Sequence, residues 1–236
     1  MVSSRRSDRL MAALTEITSG TPPTVVDGLR QVILDGGAPP GSPLPVATIA
    51  DKFKVSPIPV REALKRLVGE GLVGHQTNGG YFVAQLTADE LREIYFVRGV
   101  LEQAALARAA ETAGPADIEA ARAAHESLLR ASEFSDARAY HQQSRVFHRA
   151  LIAPCGMQRL LHMVESTWNV TEPFQLMRVA TPEMVAQLHI DHEQLLTAMT
   201  GRDAQTLIAV AKSHHAHLES IIVDSVTKLG VAHPET

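Results

Sequence analysis

Cysteine is almost missing from this chain, with Cys155 the only one in 236 residues. A single thiol excludes an intramolecular disulfide framework and any cysteine-rich zinc module, and it fits a reducing compartment. Long apolar runs are missing as well. Nothing approaches the roughly 20 apolar residues of a membrane-spanning helix. The first twenty residues carry Arg5, Arg6, Asp8 and Arg9 but no apolar stretch of signal-peptide length. The expectation is a soluble, cytoplasmic protein with no membrane partner. Catalytic signatures are absent too: there is no His-Glu-x-x-His, no Gly-x-Ser-x-Gly, no phosphate-cradling glycine loop and no internal repeat. What remains is ordinary folded-protein composition, 45% hydrophobic and 20% charged, in a length that suits two domains.

Charge divides unevenly along the chain. Residues 1–84 hold nine Lys/Arg against seven Asp/Glu, a net of +2, whereas residues 85–236 hold thirteen against nineteen, a net of −6. Ten of the eleven histidines also fall in the second part. This partition near residue 84 predicts two modules with different partners.

Apolar spacing predicts a helix over residues 24–36, with Val25, Val26, Leu29, Val32, Ile33 and Leu34 on one side and Gly36-Gly37 at its end. Residues 38–45 are too rich in proline for regular structure. A short helix over 48–53 buries Ile49, Ala50 and Phe53, and a third over 56–69 has Ser56 as its expected cap and Pro57 and Pro59 in its first turn. Beyond Gly71 the period changes. Leu72-Val73 and Tyr81-Phe82-Val83 flank Asn78-Gly79-Gly80, a strong hairpin signal. Three helices followed by a β-hairpin make a winged helix-turn-helix. From Thr87 onward there is no convincing strand, and helices are expected at 87–113, 115–131, 135–153, 157–179, 182–200 and 203–229. The fold class is therefore mainly α: a variable tail (1–21), a winged helix-turn-helix (22–84) and an antiparallel six-helix bundle (87–230) of the kind that builds sites from facing side chains.

On the third helix Val60, Leu64, Leu67 and Val68 are spaced to face the core, which leaves Arg61, Lys65 and Arg66 on other faces. Such a basic set is either a solvated face or the cationic edge of a recognition helix that meets phosphates and guanine in the major groove. The run PVREALKRL over residues 59–67, followed by EGLV over 70–73, resembles the GntR family of bacterial transcription regulators, a likeness spanning about twenty-five residues from Ile49 to Val73. The resemblance implies DNA binding through Arg61, with Ser56, Lys52, Lys54, Lys65 and Arg66 around it and the wing tip, Thr77, Asn78 and Gly79, approaching the backbone or minor groove. Two positions depart from the family pattern. Pro57 and Ala47 stand where arginines are usual, and losing two cations lowers affinity or alters the site read.

The second half extends the resemblance. Leu91 to Glu102 looks like the opening of the FCD effector domain of the FadR-like subfamily. Arg98 lies on the apolar stripe of Leu91, Ile94 and Ala105, so it is expected to point inward, where it either closes a buried bridge to Glu102 or, as the resemblance implies, clamps the carboxylate of a small organic acid effector. Histidines recur at helical spacing: His141 and His148 with Ser144 between them, His189 with His192, and His214 with His217. From these the resemblance selects His148, His192 and His214 as ligands of a divalent metal, zinc first, with nickel, manganese or iron as alternatives. Ser144 stands at the usual Asp position. Serine is a poor ligand at neutral pH, so a three-histidine site completed by water or effector oxygen is expected, and a metal-free effector sensor stays open beside it. A metal-dependent helical-bundle enzyme is a further alternative, since three histidines and an open position also make a catalytic zinc. The expected partners are a near-palindromic operator, a small carboxylate and a second copy of the chain, because one recognition helix reads only a half-site.

Overall fold

The computed structural model describes residues 2–18, 24–134, 136–174 and 180–229. Residues 175–179 of the expected 157–179 helix lie outside them. Two compact units emerge: residues 1–85 with 169–175, and residues 86–168 with 176–236.

In the first unit the helices are α1 (Val2–Thr18), α2 (Val25–Leu34), α3 (Val46–Phe53) and α4 (Pro57–Gly69), followed by β1 (Val73–Gln76) and β2 (Gly80–Val83). The segment expected to be a variable tail is helix α1, and its Leu10 and Leu14 are fully buried in the same core as Leu29, Ile33, Ile49, Leu64 and Leu67. An i, i+4 apolar pair set among charges at Arg6, Asp8, Arg9 and Glu16 was the available signal. Helix α3 begins two residues earlier than expected and ends on Lys54 in the left-handed region (φ 54°, ψ 44°), which turns the chain toward α4. Ser56 occupies the N-cap position of α4 but makes no capping hydrogen bond. The third helical residue, Pro59, has no N–H to offer it. Val68, expected in the core, is exposed, and Ala63 is buried with Val60, Leu64 and Leu67 instead.

The hairpin pairs Val73 with Val83 and Gln76 with Gly80, and Asn78 (φ 66°) and Gly80 (φ 80°) take the left-handed conformations its tight loop needs. Val83 N–H donates to Ser42 O (2.9 Å) and Leu44 N–H to Tyr81 O (2.8 Å), so the proline-rich segment runs along the outer side of β2.

Arg30 on α2 grips Glu70, at the end of α4, with two hydrogen bonds of 2.9 and 2.7 Å. These bonds outweigh burial and hold the Glu70 carboxyl below its ordinary range. A depressed folded-state pKa contributes stability that is fully present above the unfolded value, about 4.3, and fades as pH falls through the folded one. Glu70→Gln is therefore expected to weaken protection of α2 and α4 amides by about 1–2 kcal/mol at pH 7 and by much less near pH 3. Hydrogen exchange on the full chain reads this difference, and an equal loss at both pH values would remove the ion pair as its cause.

The second unit comprises α5 (Ala88–Thr112), α6 (Pro115–Glu133), α7 (Ala137–Ile152), α8 (Gln158–Thr171), α9 (Pro182–Thr200) and α10 (Ala204–Leu229). Helix α8 gives way to a 3-10 turn at Glu172–Phe174, and its last residues, from Asn169, belong with that turn to the first unit. Thr87 and Glu90 form a reciprocal capping box at the start of α5, and Thr181 accepts from Met184 N at the start of α9. The far end of α5 is closed by Arg202, which donates to the carbonyls of Glu111 and Ala113 at 3.0 Å. Helix α5 packs against α10, α6 against α7, and α9 against α10. Ala105, Ala109, Ala121, Ala124 and Ala198 line the core with Phe147, Leu151 and Leu195, and the small side chains bring backbones close enough for long polar side chains to meet inside.

Candidate nucleic-acid interface and metal centre

On α4 the buried stripe turns Arg61, Lys65 and Arg66 outward, where all are exposed. Their states differ. Lys65 Nζ sits 2.9 Å from Glu62 Oε1, and Arg66 Nε 3.3 Å from Glu70 Oε1. The side chains of Arg61 and Lys54 have no hydrogen bond or ion pair among the described residues, so their charges are available to an anionic partner. Lys52 is half-buried and donates to Thr15 Oγ1 (2.8 Å) on α1, which withdraws it from the expected cationic set. Ser56 is exposed at the start of α4, and Thr77, Asn78 and Gly79 are exposed at the hairpin tip.

In the helical bundle, His148 from α7, His192 from α9 and His214 from α10 are brought together. All are buried, and one candidate donor atom from each lies within 4.8 Å of the others. Ring centroids are 5.3 Å apart for His148 and His192, 4.8 Å for His192 and His214, and 4.9 Å for His148 and His214. Nitrogen ligands in a tetrahedral zinc site are separated by roughly 3.3 Å, given Zn–N bonds of about 2.0–2.1 Å, so the rings would draw together around an ion. Burial pushes His148 and His192 well below the ordinary histidine pKa, and His214 below it against the opposing carboxylate of Asp191. Neutral imidazoles are the ligand form.

Asp191 supplies an outer shell. Its Oδ2 lies 3.3 Å from His214 Nδ1 and 2.7 Å from His217 Nδ1, and its Oδ1 accepts from Gln187 Nε2 at 3.0 Å. Burial pushes the Asp191 carboxyl up, but these three contacts prevail and hold it low. A carboxylate fixing Nδ1–H leaves Nε2 of His214 to face a metal, as in carboxylate–histidine–metal triads. His214 Nε2 and both ring nitrogens of His192 are buried without a hydrogen bond, which is costly unless an ion or ligand engages them. Ser144 is half-buried one turn before His148.

Beside this triad, Arg98 and Glu102 on α5 are both buried. Glu102 Oε1 accepts from Trp168 Nε1 (3.0 Å) and lies 3.6 Å from Arg98 Nε, and its Oε2 lies 3.2 Å from His215 Nε2. Burial raises the Glu102 carboxyl, yet His215, Arg98 and His148 together hold it well below the carboxylate range. The Arg98 guanidinium stacks on Tyr95 (4.0 Å) and Trp168 (4.4 Å), but its Nε makes no hydrogen bond. The bridge is thus an approach of charges with a donor to spare. Trp168 also lines a cleft of about 500 Å³ with Arg145, Arg149, His162, Val164 and Glu165; neither Arg98 nor the three histidines line it.

Sequence reasoning missed the partners of these groups. Trp168, Tyr95, His215 and the orienting role of Asp191 become visible only when α5, α8, α9 and α10 are assembled. Asp191-His192 as a dipeptide was the one available hint.

A winged helix-turn-helix bearing free cations, encoded ahead of an all-α unit with a buried polar centre, defines the class of ligand-responsive DNA-binding regulators. The particular family follows from comparison. Residues 23–83 match the model of the gntR family of bacterial regulatory proteins, and residues 93–217 match the FCD domain. The chain belongs to the GntR family and carries an FCD domain. It is 29% identical over 203 residues to the HTH-type transcriptional repressor GlaR of Escherichia coli, covering 81% of this chain and 92% of that protein. It is 28% identical over 196 residues to the Nta operon transcriptional regulator of Aminobacter aminovorans, covering 80% and 90%. The structure of E. coli McbR/YncC superposes with a TM-score of 0.76 at 25% identity, covering 85% of this chain and 95% of that one. Family and relatives make this a DNA-binding transcription regulator with an effector-binding domain, not an enzyme. Among the described residues no helix is long and apolar enough to cross a membrane.

Proposed function

We propose that the chain is a cytoplasmic, FadR-like homodimeric repressor or activator whose grip on a near-palindromic operator is set by a small organic carboxylate bound in the bundle. Arg61, Lys54 and the wing tip are its DNA-contacting groups, aided by Lys65 and Arg66. His148, His192 and His214 hold a divalent metal, zinc first, which when bound supplies a Lewis-acidic position for an effector oxygen. Arg98 holds the effector carboxylate and Glu102 keeps the guanidinium in place. The observation that carries this reading is the set of buried polar atoms left without partners: Arg98 Nε, His214 Nε2 and both nitrogens of His192. Donors and ligands that have given up water inside a folded bundle await something polar. The effector changes operator affinity only as far as it prefers one arrangement of the dimer over the other.

The test is operator binding on DNA from upstream of the chain's own coding region, read by anisotropy across a panel of small carboxylates, with and without chelator. One or more acids should shift operator affinity by about 5- to 150-fold, the usual range of coupling. Arg98→Ala should keep the unliganded affinity within about 2-fold while abolishing the shift, as follows when the coupling free energy is lost and the DNA surface is untouched. No response to any acid, in metal-loaded and metal-free protein alike, would sink the sensing assignment.

A further inference from the structure

His192 is unlike His214. Metal-ligating histidines ordinarily give their second ring nitrogen to a carboxylate or carbonyl, as His214 does to Asp191. His192 is 1% exposed, yet neither of its nitrogens has a hydrogen bond. Beside it also stand His125 from α6 and His189, one turn earlier on α9. Ring centroids are 5.4 Å apart for His125 and His192, 6.0 Å for His189 and His192, and 5.7 Å for His125 and His189. One donor atom from each of these three again lies within 4.8 Å of the others. His125 is 4% exposed with Nε2 unpartnered, and both nitrogens of His189 are buried and unpartnered. Tyr140 packs edge-on against His189 (5.7 Å), and its hydroxyl, also buried, makes no hydrogen bond. Burial lowers the pKa of His125 against Glu193 and Glu126, and lowers that of His189 as well, so both are in the ligand form.

We propose that His125, His189 and His192 form a second metal seat, taking a borderline transition-metal ion such as zinc, nickel, cobalt or copper, with His192 giving one ring nitrogen to each seat. His125 and His189 stand outside the ligand set that the family resemblance implies. Imidazole nitrogens select this class of ion over magnesium or calcium, which take oxygen donors. Bridging displaces the single proton that neutral His192 carries, and that proton passes to the buffer. The inference rests on His148, His192 and His214 being ligands, because the bridge needs both seats.

The test titrates chelator-stripped full chain with Co²⁺, reading stoichiometry by equilibrium dialysis and ligand field by visible absorption. Wild type should bind two equivalents. His125→Phe, which keeps a ring against Phe147, and His189→Gln should each bind one, and His214→Ala should also lose one. His192→Ala should lose both. One equivalent in wild type, lost in His214→Ala and kept in His125→Phe, overturns the second seat and leaves the first standing. Two equivalents surviving both His125→Phe and His189→Gln also overturn it. No binding at all sinks both seats.

Discussion

Arg61→Ala is expected to weaken operator binding by roughly 10- to 100-fold, the worth of one good arginine contact to a guanine edge. The reason lies in the contrast between neighbours on one helix. Lys65 and Arg66 already spend their charge on Glu62 and Glu70, whereas Arg61 is held at the exposed face by the burial of Val60 and Leu64 and has no ion-pair partner among the described residues. Lys65→Ala should therefore cost less than Arg61→Ala, because Lys65 must first leave its carboxylate. A titration of affinity against salt separates two roles for Arg61. If it meets a phosphate, the loss is uniform across operator variants and the salt slope falls by about 1; if it reads a base, discrimination at one position relaxes. Equal affinities for Arg61→Ala and wild type at every salt concentration would take this residue out of the interface, and with it the argument from the unpaired charge.

Loss of the metal is the second large effect expected. His214→Ala should lower affinity for zinc by more than about 100-fold, since merely disturbing an outer-shell partner costs about 10- to 100-fold. Asp191→Asn should fall in that smaller range, because it leaves the ligand and removes only the group that orients Nδ1–H. Metal that binds the folded state alone stabilises it by about 2.7 kcal/mol when free metal is a hundred times Kd. For a unit of this size that corresponds to a melting shift of about 5 to 10 °C between zinc-loaded and chelated wild type, with a smaller shift in His214→Ala, which loses this seat and keeps at most the one at His125 and His189. Elemental analysis and paired melting curves make the comparison. Equal metal content in wild type and His214→Ala would dissolve the triad as a site, whatever its geometry.

How far the site could be read in advance differed by residue. His148, His192 and His214 sit on three different helices, and no spacing rule connects 148 to 192 or 192 to 214. Their selection came from the resemblance, and the packing of α7, α9 and α10 then brought the rings within 5.3 Å of one another. Arg98 was legible from its own helix, because it falls on the apolar side of α5 with Leu91 and Ala105, and it is buried there. His125 carried the same kind of signal, lying on the stripe of Ala121 and Leu128, but a lone histidine among alanines gave no reason to look. Lys52 counted as a DNA-facing cation in the sequence and is held by Thr15 of a helix that the sequence reading left as a tail.

By itself the sequence determined the order and type of the elements from α2 onward: apolar spacing set the helices, Asn78-Gly79-Gly80 set the wing, and Thr87, Thr181 and Gly114-Pro115 set the ends of bundle helices. These are local properties, fixed by backbone sterics and by hydrogen bonds between residues three or four apart. Tertiary structure alone decided which histidines meet, that Trp168 and Tyr95 both lie against Arg98, that the Arg61 side chain is unpaired among the described residues while Lys65 is paired, and that neither nitrogen of His192 has a partner. Those facts depend on side chains from elements dozens of residues apart sharing one buried volume, and helical periodicity says which way a residue faces, not what it will find there.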